Sequence, residues 1–74
     1  MHVENLIKMA NQIGTYFAAF PDRAEALDGV ATHIKKFWEP RMRRALLEHV
    51  DSAGYGEFNA TTAEAIREHR ARLQ

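Results

Sequence analysis

Two prolines, Pro21 and Pro40, cut the apolar pattern of this chain into segments that can only be short, packed helices. Proline lacks the N–H that a helix interior uses and pushes the preceding residue towards extended dihedrals, so a helical pattern stops or restarts there. Ahead of Pro21, residues Val3, Leu6, Ile7, Ala10, Ile13, Phe17 and Phe20 recur mostly in steps of three and four, one stripe of an α-helix. Between the prolines, Leu27, Val30, Ala31, Ile34, Phe37 and Trp38 draw a second stripe, opened by Asp22 as N-cap with Glu25 three residues on. Pro40 suits the first position of a third helix, where a missing N–H costs nothing. Its inward set is Met42, Ala45, Leu46, His49 and Val50, and Gly54 is its stop.

The pattern predicts an all-α fold, a small bundle of three main helices over about 3–20, 22–38 and 40–53. A weaker helix follows near 61–72, with Thr61 and Glu64 as its capping box. The chain reads as one domain over 1–74, with its core within about 3–58 and 59–74 a loosely docked, fraying appendage. The expected core is Leu6, Ile13, Phe17, Leu27, Val30, Ile34, Phe37, Leu46 and Val50. Ala10 and Gly14, and again Gly29 and Ala31, are small residues beside the stripes that allow close helix approach. Asn11 and Gln12 read as a solvated flank. Glu4 with Lys8, and Arg44 with Glu48, have the spacing of surface ion pairs.

Seventy-four residues lie near the lower limit for a self-sufficient core. Apolar burial at ~25 cal/mol per Å² roughly cancels ~1.5 kcal/mol of ordering entropy per residue at this size. Without cysteine there is no disulfide or thiolate metal site to help, so a partner or unusually good helix packing must. Ten basic residues balance ten acidic ones, which counts against a dedicated nucleic-acid binder. No apolar run approaches the ~20 residues that span a bilayer, and MHVENLIK lacks a signal-peptide pattern. The expectation is a cytoplasmic protein.

No catalytic set stands out. His49, Asp51 and Ser52 form a Ser-His-Asp grouping in name only, since a helix end offers no scaffold for an oxyanion site. His2, His33, His49 and His69 lack metal-ligand spacing, and Gly54-x-Gly56 is a turn. The informative stretch is HIKKFWEPRMRR at 33–44. It holds the one tryptophan and five of the ten basic residues, Lys35, Lys36, Arg41, Arg43 and Arg44, opposed by Glu39 alone. Such a joint is open to three readings: a solvated face, a protein-docking surface, or a phosphate grip. Arginine beside aromatics is the makeup of protein interfaces.

MANQIGTYFAAFPD at 9–22 and HIKKFWEPRMRRAL at 33–46 resemble the small delta subunit of cytoplasmic, NAD-dependent, molybdenum-containing formate dehydrogenases. The family pattern of M-A-N-Q-I, then H-I-x-x-F-W-[DE]-P-R-M-R, is matched at Met9 to Ile13 and at His33, Ile34, Phe37 to Arg43. A weaker turn motif falls on Gly54, Gly56 and Phe58, so the likeness runs over about 3–66. Many relatives carry Asp where this chain has Glu39, and commonly a proline after the second glycine turn where it reads Asn59-Ala60. The resemblance implies a non-catalytic subunit with no cofactor of its own. It would bind the large molybdenum and iron–sulfur subunit and support its assembly or stability. Lys36, Phe37, Trp38, Glu39, Pro40, Arg41, Arg43 and Arg44 are the expected partner-binding residues, with the arginines and one edge of Trp38 making the contact. From other classes, a self-associating helical module (a homodimer when isolated) and a small nucleic-acid-binding regulator remain as alternatives.

Overall fold

A computed structural model describes residues 2–74, and all regular structure among them is helical. In chain order the helices are α1 (Val3–Ala18), α2 (Arg23–Phe37), α3 (Pro40–Ala53), α4 (Ala60–Glu68) and α5 (Arg70–Leu73). Local signals set the boundaries. Asp22 is extended and its side chain accepts from the Glu25 N–H at 3.3 Å. Glu39 is extended (φ −65°, ψ 151°) and Pro40 starts α3, so the joint is two helices and not one kinked rod. Gly54 closes α3 at φ 79°, a conformation that suits a residue without Cβ.

The first two helices form an antiparallel hairpin. Phe17 lies against Gly29 near the connection, while Met9 and Ile13 lie beside Trp38 and His33. α4 packs against both α1 and α2, and α3 packs against α1. The closest approach is at Gly14: a Cβ there would collide with the Thr62 hydroxyl and lie 2.9 Å from Asn59 Oδ1. The small residues of α1 therefore admit α4, and Gly29 admits the Phe17 ring. Thr62 is fully buried and donates its hydroxyl to Ala10 O at 3.3 Å.

The expectation of a loosely docked tail is corrected by the burial. Ile66 and Thr62 are fully buried and Leu73 nearly so. Each large aliphatic side chain so buried contributes roughly 1.5–3 kcal/mol, whereas exposed ion pairs such as Arg23–Glu64, Arg70–Asp51 and Arg72–Asp28 contribute at most about 1 kcal/mol each. Burial holds the tail, and the pairs set its register. The radius of gyration, 11.0 Å, matches the ~11 Å of a fully folded chain this long. The cap differs too: Asn59, not Thr61, accepts from the Thr62 N–H at 2.9 Å, and Thr61 instead accepts from Arg23.

This packing rotates α3 from its expected face. Arg43, Leu46, Leu47 and Val50 are buried, while Met42, Ala45 and His49 are only half-buried. The shift occurs because the C-terminal segment covers the Arg43–Leu47 side, so more than α1 and α2 must be faced. Ile13 and Phe17 pack at the edge of the core. Neither Glu4–Lys8 nor Arg44–Glu48 closes to an ion pair; the pairs that form link different helices, apart from His49–Glu57, which ties α3 to the following turn.

Arg43 is the least expected core residue. It is 8% exposed, and its guanidinium donates to Trp38 O at 2.7 Å, Leu73 O at 3.1 Å and Lys35 O at 3.3 Å. These are carbonyls at the C-terminal ends of α2 and α5, which no further helical turn can satisfy. A cation in the first turn of α3 opposes that helix's own dipole by about 0.3–1 kcal/mol. Charge-assisted hydrogen bonds of ~1.5–3 kcal/mol each outweigh it.

Two stability predictions follow from this packing. Arg43→Ala should destabilise the chain by about 2–4 kcal/mol in urea unfolding, with Arg43→Lys recovering part, because a point ammonium replaces a planar fork. Gly14→Ala should destabilise by about 1–3 kcal/mol despite the ~1 kcal/mol helix-propensity gain, since buried Thr62 cannot yield. In Gly14→Ala/Thr62→Ala the loss should be less than additive; additive losses would show that Thr62 is not the obstacle.

Candidate functional site

The joint between α2 and α3 divides its two aromatics. Phe37 ends α2 on its outer side and is 66% exposed, whereas Trp38 is 5% exposed. The cause is backbone geometry. Trp38 keeps its place in the α2 ladder, its N–H bonded to Ile34 O at 2.9 Å, so it sits one turn on from buried Ile34 and turns in under α1. Phe37, ~100° back round the helix, faces out. Phe37 was expected in the core and Trp38 partly outside it; the structure reverses the two. Phe37 is not bare, since the His33 ring lies 4.8 Å from its centroid and Lys36 Nζ lies 5.8 Å away.

Of the other expected contact residues, Lys36, Glu39, Pro40, Arg41 and Arg44 are exposed. Arg43 is not among them, because its donors hold the helix ends. Lys36, Arg41 and Arg44 have no carboxylate within ion-pair distance among the described residues. Glu39 makes no side-chain capping bond to α3, so the joint's one carboxylate is not tied there.

Beside this joint a trough of about 610 Å³ runs between α1 and α2. Met9, Gln12, Ile13, Tyr16 and Phe17 form one wall, and His33 and Trp38 the other. Tyr16 is 66% and Met9 39% exposed, so with Phe37 they are the large apolar side chains that face solvent. Tyr16, Phe17 and Phe20 pack ring against ring at 4.9–5.9 Å, which stiffens the far end. Contiguous apolar surface of this kind marks a contact site more often than a lone exposed leucine does.

The remaining chemical candidates are engaged in structure. Ser52 Oγ donates to His49 O at 3.2 Å, and His49 Nε2 meets Glu57 Oε1 at 2.7 Å, so the nominal Ser-His-Asp set is not assembled. Among the described residues no group of three or more His, Cys, Asp or Glu side chains is arranged to hold a metal ion. No described helix is long and apolar enough to cross a membrane.

The model of one protein family, the NADH-dependent formate dehydrogenase delta subunit FdsD, matches residues 5–66. The chain belongs to this family. Comparison with curated proteins and with solved structures gave no match. Within the matched span, both stretches that carry the family pattern meet at the trough. MANQI supplies Met9, Gln12 and Ile13, and HIKKFW supplies His33 and Trp38.

Asn11, expected to be solvated, instead ties α1 to the start of α4. Its Oδ1 accepts from Asn59 N–H at 2.9 Å, its carbonyl accepts from Asn59 Nδ2 at 3.0 Å, and its Nδ2 donates to Glu57 O at 3.0 Å. The trough wall on α1 was missed at the level of sequence. Its signal is Met9 and Tyr16, four residues before and three after Ile13, which widen the apolar stripe on that side.

The two aromatics predict opposite responses. Phe37→Ala should change the stability of the isolated chain by less than about 1 kcal/mol. Trp38→Ala should cost ~3–5 kcal/mol, a large share of any small domain's stability. Equal losses in urea titrations would contradict the division.

Proposed function

We propose that the chain is a non-catalytic delta subunit that docks on the large molybdenum and iron–sulfur subunit of a cytoplasmic formate dehydrogenase and supports its assembly or stability. The observation that carries this reading is the family match together with where its motif residues lie, around an exposed aromatic trough and an unpaired basic joint. Formate oxidation and electron transfer to the nicotinamide belong, on this reading, to the other subunits. Docking uses Lys36, Phe37, Glu39, Pro40, Arg41 and Arg44 from outside, while Trp38 and Arg43 shape the joint from within. The neutral overall charge favours a protein partner over nucleic acid.

Charge reversal at the exposed cations tests the reading without disturbing the core. The combination Lys36→Glu, Arg41→Glu and Arg44→Glu should leave thermal unfolding of the isolated chain nearly unchanged, within about 0.5 kcal/mol per site. The same variant should no longer co-purify with the large subunit when the two are co-expressed. Full recovery of the complex would make the basic joint a solvated face.

A further inference from the structure

We propose that the trough between α1 and α2 receives an amphipathic helix of the partner subunit, apolar where it enters and carrying carboxylates where it passes Lys36. This rests on the docking reading above and names the partner's chemistry. The trough is open along the helix pair, its exposed apolar lining is Met9 and Tyr16, and Phe37 lies outside it against the His33 ring. Gln12, His33 and the Tyr16 hydroxyl supply its polar lining, and the trough lies open along the helices and does not enclose a small ligand as a ligand pocket does. A groove between two helices with spaced apolar sites is instead the seat of a third helix, which offers anchors at i, i+3, i+4 and i+7. Met9 adapts to such an anchor because its thioether chain is flexible and polarisable.

Charge decides the occupant. Residues 35–44 carry Lys35, Lys36, Arg41, Arg43 and Arg44 against Glu39, an excess of four positive charges in a chain that is neutral overall. Lys35 bonds Gln74 O and Arg43 bonds three carbonyls, which leaves Lys36, Arg41 and Arg44 as the exposed cations of the joint with no carboxylate at ion-pair distance among the described residues. These cations attract acid from outside, and Lys36, next to Phe37 and the His33 wall of the trough, is the one placed to meet it there. A second copy of the chain brings the same cationic joint, and a nucleic-acid strand would not fill the apolar walls.

The test is photo-cross-linking in the co-expressed complex, with Tyr16→p-benzoylphenylalanine as probe and the same replacement at exposed Glu68 as control. The position-16 probe should join one peptide of the large subunit that has apolar residues at helical spacing with carboxylates beside them, and the control should not. Lys36→Glu should weaken the complex about tenfold, and replacing a carboxylate of that peptide by lysine should restore binding. A complex that forms at full yield while the position-16 probe captures nothing, a basic segment or a second copy overturns the inference and leaves the docking reading standing. If the unaltered chain forms no complex at all, both fall.

Discussion

The guanidinium of Arg43 is the interaction on which the remaining structure depends. It lies at the start of α3 and reaches the C-terminal ends of α2 and α5 at once, through Trp38 O, Lys35 O and Leu73 O. The ends of α2 and α5 and the start of α3 are tied at one planar cation. A helix C-terminus attracts positive charge and leaves carbonyls unsatisfied, and two such ends together make a site that only a buried, multidentate donor fills well. Because Arg43 occupies it, Leu47 follows inward one turn later and the C-terminal segment has a wall to pack on. The joint that looks like a block of surface charge is therefore built around an internal one.

A chain of this size gains stability by leaving no segment undocked. α4 takes the place of a conventional third helix in the hairpin, and two features of α1 admit it. Gly14 removes the side chain that would block Thr62, and Asn11 replaces solvent as partner of the Asn59 backbone and amide. The buried polar groups are satisfied: no buried side-chain nitrogen or oxygen lacks a partner among the described residues. In a core this small one orphaned group, at about 1–3 kcal/mol, is a sizeable fraction of the whole stability.

What the core keeps inside determines what the surface can offer. With Trp38 and Arg43 drawn in, the outside of the joint is left with Phe37, Lys36, Arg41 and Arg44, next to a trough that the same tryptophan helps to line. Residues adjacent in sequence are thus divided in space between core and surface. On the docking proposed for this FdsD-family chain, a joint already held by buried hydrogen bonds would present Phe37 with little further ordering cost.

The helix boundaries were legible in the sequence because their causes are local. Pro21, Asp22, Pro40 and Gly54 act on backbone within four residues of themselves, and each terminus formed where they placed it to within about two residues. The apolar stripes of α1 and α2 were legible for the same reason, since period alone assigns a face. The importance of the 33–44 joint was legible, but the inner and outer roles within it were not. Phe37 and Trp38 are adjacent and both aromatic, and which of them is covered depends on where α1 lies against the end of α2. Arg43 looks like Arg41 and Arg44 until Leu73, thirty residues later, arrives beside it. Thr62 is an ordinary helix threonine until Ala10, fifty-two residues earlier, accepts its hydroxyl. Composition and period determined which segments are helices and that they must pack. Which polar side chains are buried, and which aromatic faces outward, was decided by contacts between distant segments, because those residues can be satisfied only by groups that the tertiary fold brings to them.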